Sequence, residues 1–410
     1  METTAKRYIK LFPWFEGFTL DLLFYIAIDT LFLTVVKQFS SAEIVSITSI
    51  SLLVSLALQI PLLLIINKIG NTASLRAGAF LLLLSSLLIT LGKNYYIVLF
   101  GRIFHDISAS FHVASTVALE NSLDLIDKRN DFVKIRAASL TVYSVLTMLI
   151  SFVASLMFNL NPYLPMIGCI TTCSLGFIFS LFMKDSSAYD KIAVKKETGC
   201  KTKIHYSKIV VIAIVLYSIF YVIVNSGQAE GKLFIQENIL LDFNVEQTAL
   251  IMGAIVCSSR IIRVISNMIF NRLYKKYQAK MGVALTVLLC FSIALILFGS
   301  FIPQIIIKIV VMAMGYTVIL FARDPFKLYI QDVVFVLTPK EQHQSLLIIM
   351  AAGVNLLRGG IGLVFSALLL KFPMLLIISI MFVISLVEII LGIIVYRSVQ
   401  IGKEAKCTNA

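Results

Sequence analysis

Charge is scarce in this chain: Asp, Glu, Lys and Arg make up 14% of its 410 residues, while 59% are hydrophobic and mean hydropathy is +0.95. Soluble domains lie near a quarter charged and half apolar, so the composition excludes a soluble globular protein. The six cysteines, at 169, 173, 200, 257, 290 and 407, contain no CxxC or other metal-ligand spacing. That argues against a disulfide framework and against a zinc site. No Walker sequence, no Ser/His/Asp arrangement in an aqueous segment and no metal-binding cluster occurs, so neither an enzyme nor a cofactor is expected. The stretch Arg358-Gly359-Gly360-Ile361-Gly362 is not a dinucleotide fingerprint, because no strand–turn–helix unit surrounds it. Glycines there suit close helix packing or a bend. No small-residue cleavage site follows the short basic segment from Met1 to Lys10, so the first apolar run reads as a retained helix rather than a signal peptide.

What is present is a series of long apolar runs, at approximately 13–36, 43–66, 76–92, 95–119, 138–159, 163–184, 208–234, 246–270, 281–301, 304–330, 344–370 and 373–396. A bilayer span needs roughly 20 mostly apolar residues, and in lipid the backbone must satisfy its own hydrogen bonds, so runs of this length are helices. The expectation is an all-α integral membrane protein with twelve transmembrane helices, surrounded by membrane lipids. Most of the 35 Lys and Arg fall in segments on one side of such a membrane, among them Lys6, Arg7, Lys128, Arg129, Lys275, Lys276 and Lys403. The outer ends receive only Lys37, Lys93, Lys232, Lys308 and Lys371. By the positive-inside rule this predicts both termini in the cytoplasm, in the cytoplasmic membrane. The formal charge of +13 therefore reads as a membrane-face bias, with no nucleic-acid partner.

The longest polar segment, rich in Lys, Ser and Thr, divides the chain into a six-helix bundle over 1–184, a cytoplasmic loop over 185–207 and a second bundle over 208–410. The halves resemble each other. Phe24-Tyr25-Ile26-Ala27-Ile28-Asp29-Thr30 matches Phe220-Tyr221-Val222-Ile223-Val224-Asn225-Ser226; Asn67-Lys68-Ile69 with Arg76 and Gly78 matches Asn271-Arg272-Leu273 with Lys280 and Gly282; the Pro162 turn matches the Pro373 turn. These matches are ordered, and their offsets grow slowly as loops lengthen. Two parallel pseudo-symmetric halves are what a transporter that rocks around a central site requires.

Here the chain resembles the major facilitator superfamily, over nearly its whole length. The 2–3 loop is similar to a degenerate form of that family's G-x-x-x-D-R-x-G-R-R signature, with Lys68 at the first Arg and Gly70 at the Gly, but Asn67 for the Asp and Leu63 for the leading Gly. Arg102 matches the family's fourth-helix R-x-x-x-G arginine, with Asp106 in the Gly position. The fifth-helix G-P signature of many drug antiporters is absent from 138–159. The resemblance implies the major facilitator fold and a secondary transporter acting by alternating access, in which the first and fourth helices line the central cavity. The expected function is proton-coupled export of an amphipathic drug, toxin or metabolite, by a monomer whose partners are its small-molecule substrate and protons. The alternatives are import or export of an anionic metabolite held by arginines of the second half and, in another class, a lipid flippase or membrane binding protein.

An ionisable side chain at mid-membrane costs about 2.5–3.5 kcal/mol on insertion scales, so each needs a partner or water. In the first run Asp21, Tyr25 and Asp29 stand at i, i+4 and i+8, on one face of a continuous helix. Asp29 and Arg102 each fall roughly 10 Å from the outer ends of their runs, which allows them to pair. The fourth run carries a polar arc of Arg102, His105, Asp106, His112, Thr116 and Glu120. Candidate proton sites are Asp29, Asp21, His105 and Asp106, since imidazole titrates near neutrality; a membrane histidine also serves as an interhelical hydrogen-bonder. Arg102, Tyr25 and His112 are candidates for cavity or gate pairing. The second half carries Arg260, Arg263 and Asn267, then Arg323, Asp324 and Lys327, then Asn355 and Arg358, against the acids Glu230, Asp324 and Glu388. Arg260, Arg263, Asn225, Asn355, Arg358 and Tyr316 are the candidate substrate-binding residues, arginine's rigid fork suiting a carboxylate or phosphate. The competing reading has Asp324 and Glu388 neutralising two of the cations while Lys327 snorkels to headgroups.

Overall fold

The computed structural model describes residues 2–185, 208–277, 280–338 and 343–408. Among these the chain is helical throughout, without strands. The helices are α1 (Glu2–Thr19), α2 (Tyr25–Leu31), which continues as a π-helical turn over Phe32–Val36, α3 (Ser41–Ile69), α4 (Asn71–Leu91), α5 (Tyr95–Asp124), α6 (Phe132–Leu160) and α7 (Leu164–Phe182). They continue with α8 (Lys208–Leu240), α9 (Val245–Tyr277), α10 (Lys280–Gly299), α11 (Ile305–Leu337), α12 (His343–Leu369) and α13 (Met374–Thr408). Ten of the described helices are long and apolar enough to cross a membrane. The first and fourth expected spans are the exceptions. The first is divided between α1 and α2, and α5, at 30 residues, carries Arg102, His105, Asp106 and His112 along its length. This is a multi-pass, all-α membrane protein.

The first run is thus not one helix. It starts earlier than expected, at Glu2, and stops at Thr19; residues 20–24 are non-helical before the chain resumes at Tyr25. Two side chains compete with the backbone there. Thr19 Oγ1 bonds back to the carbonyl of Phe15 at 2.7 Å, and Asp21 Oδ1 accepts the N–H of Leu22 at 2.8 Å. Short polar side chains offer the main chain such alternatives to helical bonding. The single-face alignment of Asp21, Tyr25 and Asp29 is therefore overturned, because Asp21 lies in the break.

The chain forms two compact units, Met1–Phe39 with Ile50–Lys203, and Ser40–Ser49 with Ile204–Ala410. In the first, α1 packs on α5, α6 and α7, and α4 packs on α5 and α7. Tyr8, Phe12, Phe15, Leu75, Ala79 and Leu119 form its buried cluster at one end. In the second, α8 packs against α11, α12 and α13, and α10 against α11 and α13. The expected boundaries change in two places. Residues 40–49, at the start of α3, belong to the second unit, where Ser366 Oγ donates to the Ala42 carbonyl at 2.8 Å. Asp185 is packed into the first unit, accepting from Asn71 Nδ2 at 2.9 Å and Asn121 Nδ2 at 3.1 Å. The rest of the expected loop, 186–207 with Cys200, lies outside the described residues.

Lys232 also departs from expectation. It is 2% exposed rather than at an outer end, because α8 runs on to Leu240.

Candidate functional site

In the first unit the break between α1 and α2 is held by two imidazoles of α5. His105 and His112, seven residues and so about two turns apart, project from one face. His112 Nε2 donates to the carbonyl of Thr19 at 2.6 Å, a carbonyl in the last turn of α1 that has no intrahelical partner. His105 Nε2 lies 3.1 Å from Asp21 Oδ1, within the break itself, and its Nδ1 lies 3.0 Å from Asp106 Oδ1. One ring thus bridges two carboxylates. An imidazole donates from both nitrogens only when it carries a second proton. In that state His105 and Arg102 together balance Asp21 and Asp106.

Arg102 makes its ion pair along its own helix, with Asp106 at 3.6 Å. Asp29 instead turns Oδ1 to the N–H of Thr30 at 2.7 Å. It remains within electrostatic range of Arg102, together with Asp21 and Tyr25. Arg102, Asp106, His105 and Asp21 thus form a continuous chain of contacts. Tyr25, the first residue of α2, is buried beside it.

A second network escaped the sequence reading. Glu16, 1% exposed in α1, accepts from Arg136 Nη1 at 2.5 Å and from the hydroxyls of Ser115 at 3.1 Å and Ser139 at 3.4 Å. His112 Nδ1 stands 4.0 Å from Glu16 Oε1, the oxygen that accepts from Ser115. Arg136 stands in the first two turns of α6, which begins at Phe132, and is partly buried against Glu16. The available signal was the lone acid in the apolar stretch 11–20, which at membrane depth demands a partner.

In the second unit two of the candidate substrate cations are already paired. Arg263 grips Asp324 through Nε at 2.7 Å and Nη2 at 3.1 Å, with Asn267 Nδ2 a further 3.1 Å donor. Arg358 joins Glu230 at 2.6 Å, both nearly without exposure. Asp324 thus neutralises Arg263, and the acid that neutralises Arg358 is Glu230 rather than Glu388. Arg260 Nε has no hydrogen-bond partner among the described residues.

The remaining polar face belongs to α8, where Tyr217, Tyr221, Asn225 and Gln228 fall at i, i+4, i+8 and i+11, along one side. The rings of Tyr217 and Tyr221 are 4.7 Å apart. Tyr221 OH donates to the Arg323 carbonyl at 2.9 Å, and Arg323 Nη1 donates to Gln228 Oε1 at 3.1 Å. Asn225 and Asn355 are half-buried on α8 and α12, and Tyr316 is buried on α11. Tyr217 and Gln228 were missed, although the i, i+4 spacing with Tyr221 and Asn225 was readable. No group of His, Cys, Asp and Glu suited to a metal occurs among the described residues.

No sequence-family model matches the chain, and no curated protein matches it in sequence. Its fold has clear counterparts. Two crystal structures of the nucleoside transporter NupG superpose with TM-scores of 0.76 and 0.74, at 14% and 13% identity, covering 94% and 96% of this chain and 99% of theirs. A POT family transporter crystallised with 5-aminolevulinic acid gives 0.67 at 12% identity, over 95% of both chains. A bacterial homologue of the iron transporter ferroportin, in an inward-facing state, gives 0.65 at 11% identity, over 97% of this chain and 98% of that one. The class is a helical membrane protein of the transporter type of architecture. More particularly, the chain has the major facilitator fold.

Proposed function

We propose that this chain is a proton-coupled secondary transporter that moves a small amphipathic, ring-bearing solute across the cytoplasmic membrane by alternating access. The observation that carries the reading is His105 placed between Asp21 and Asp106 at the break of the first span. Ionisable groups inside a membrane bundle mark ion pathways by default, and discontinuous membrane helices commonly form binding sites. A doubly protonated His105 ties Asp21 to Asp106. After proton loss only one nitrogen donates, one carboxylate loses its bond, and the hold of α5 on the break weakens. Proton occupancy is thereby linked to the conformation of the first span.

The substrate class is supported by the α8 face, where paired tyrosine rings give way to the amides of Asn225 and Gln228. Aromatic faces with a few placed hydrogen-bonding groups suit a compact ring compound with polar edges. The fold counterparts include a nucleoside transporter, which is consistent with that chemistry. An anionic substrate is the second reading, and it rests on Arg260, whose Nε lacks a partner among the described residues.

Reconstituted protein in liposomes, loaded with labelled nucleosides, aromatic drugs or small carboxylates, tests both readings. Accumulation of an uncharged ring compound driven by an imposed pH gradient, absent in His105→Gln, is expected. Reversing the gradient reports whether the protein exports, as the acidic first span suggests, or imports. Gradient-insensitive transport would remove the proton from the mechanism, and selectivity for carboxylates would install the second reading.

A further inference from the structure

One ionisable group lies outside every network above. Glu388 of α13 is fully buried, and neither carboxyl oxygen has a hydrogen-bond partner among the described residues. Two contacts with the antiparallel α10 fix its level. Phe382 meets the Phe298 ring edge-on at 5.7 Å, and Gly392 approaches so closely that a Cβ there would lie 3.0 Å from Thr286 Oγ1. Glu388 sits between these contacts, level with the middle of α10, a helix of 20 residues and so about 30 Å. Its distance from the start of α13 at Met374 is about 21 Å, which agrees with mid-membrane depth. Besides α10, the elements packed on α13 are α8 and α12. Their buried charges are committed elsewhere, Glu230 to Arg358, while Lys232 has a partner of its own.

We propose that Glu388 is a proton-binding site at the bilayer midplane: a neutral carboxylic acid, secluded from water inside the helix bundle and reached only by reagents that partition into apolar surroundings. An isolated carboxylate without a counter-charge is so costly in an apolar medium that such a group neutralises instead. At membrane depth the ionised form would cost about 2.5–3.5 kcal/mol even on the lenient insertion scale. The neutral acid needs no cation, which explains how α13 keeps a glutamate in an otherwise apolar stretch. The site is separate from the His105 cluster, lies in the other unit and does not depend on the proposed transport cycle.

A protonated carboxyl in apolar surroundings is chemically distinct from a carboxylate in water. It adds to a lipophilic carbodiimide: the acid proton passes to one carbodiimide nitrogen, the carboxyl oxygen bonds to the central carbon, and oxygen-to-nitrogen acyl transfer gives a stable N-acylurea with no leaving group. The test treats the intact protein in liposomes at neutral pH with dicyclohexylcarbodiimide, and in parallel with a water-soluble carbodiimide, and maps the adduct by peptide mass spectrometry. The expected result is one adduct on the Glu388 peptide from the lipophilic reagent only. No adduct on that peptide, or equal labelling by the water-soluble reagent, would overturn the proposal. The infrared carbonyl stretch of a protonated carboxyl at neutral pH provides a second measurement, lost in Glu388→Gln. Because mapping is done on the unaltered chain, the conclusion survives if that variant folds poorly.

Discussion

His112 and Thr19 are separated by 93 residues, yet the imidazole Nε2 of one donates to the main-chain carbonyl of the other at 2.6 Å. This bond closes the end of α1 where the first span breaks. Leaving a buried carbonyl unsatisfied costs about 1–3 kcal/mol. His112→Ala is therefore expected to lower the thermal midpoint in detergent by that measure of stability, while His112→Gln, which keeps a donor, recovers part of it. Equal midpoints for the alanine variant and the parent would show that the bond contributes nothing.

The break also places Asp21, rather than Asp29, against His105. Asp21→Asn and His105→Gln should abolish accumulation driven by a pH gradient while counterflow exchange of substrate persists. Asp29→Asn should leave more of the gradient-driven component than Asp21→Asn. Retention of full proton-driven transport in Asp21→Asn would move the coupling site elsewhere.

Glu230 and Arg358 form a buried pair at 2.6 Å. Breaking such a pair from one side typically costs about 3–5 kcal/mol, because the survivor is a desolvated charge, whereas an apolar replacement of both can be neutral. Glu230→Gln and Arg358→Met should each lose folded yield and thermal stability, and the double variant should regain much of both. Strictly additive losses across this cycle would show that the two residues do not act as a pair.

Gly70, between α3 and α4, has φ 82° and ψ 169°. That region is essentially restricted to glycine, and another residue held there costs about 1–3 kcal/mol. Gly70→Ala should destabilise the first unit accordingly, read by thermal unfolding, whereas Ala77→Gly, placed inside α4, should cost only about 1 kcal/mol. A neutral Gly70→Ala would mean that the turn relaxes freely.

The proposed topology puts Cys200 and Cys407 on the cytoplasmic side; Cys200 and the side chain of Cys407 lie outside the described residues. An impermeant thiol reagent applied to intact right-side-out cells should label neither. Labelling of Cys200 from outside would reverse the orientation.

Amino-acid order alone determined the class of protein and where ten of its spans lie, because lipid imposes a rule that acts locally: a run of some twenty apolar residues must be helical to satisfy its own backbone. The polar face of α5 that carries Arg102, His105 and Asp106 was readable too, since helical periodicity converts spacing into direction. The break at residues 20–24 was not readable. Thr19 and Asp21 supply local hydrogen bonds that permit a helix to end, but in a continuous apolar run nothing local requires it. His112 and His105, supplied by a helix almost a hundred residues away, bond the freed carbonyl and the acid, and only packing brings them there. Partner choice among the charges followed the same division. Insertion cost showed that Glu230, Arg263, Asp324 and Arg358 each needed an answer, whereas the pairings Arg263–Asp324 and Arg358–Glu230 came from which helix faces meet. Glu16 with Arg136 and the isolation of Glu388 are decisions of that kind, because burial and partnership are properties of neighbours in space and not of neighbours in the chain.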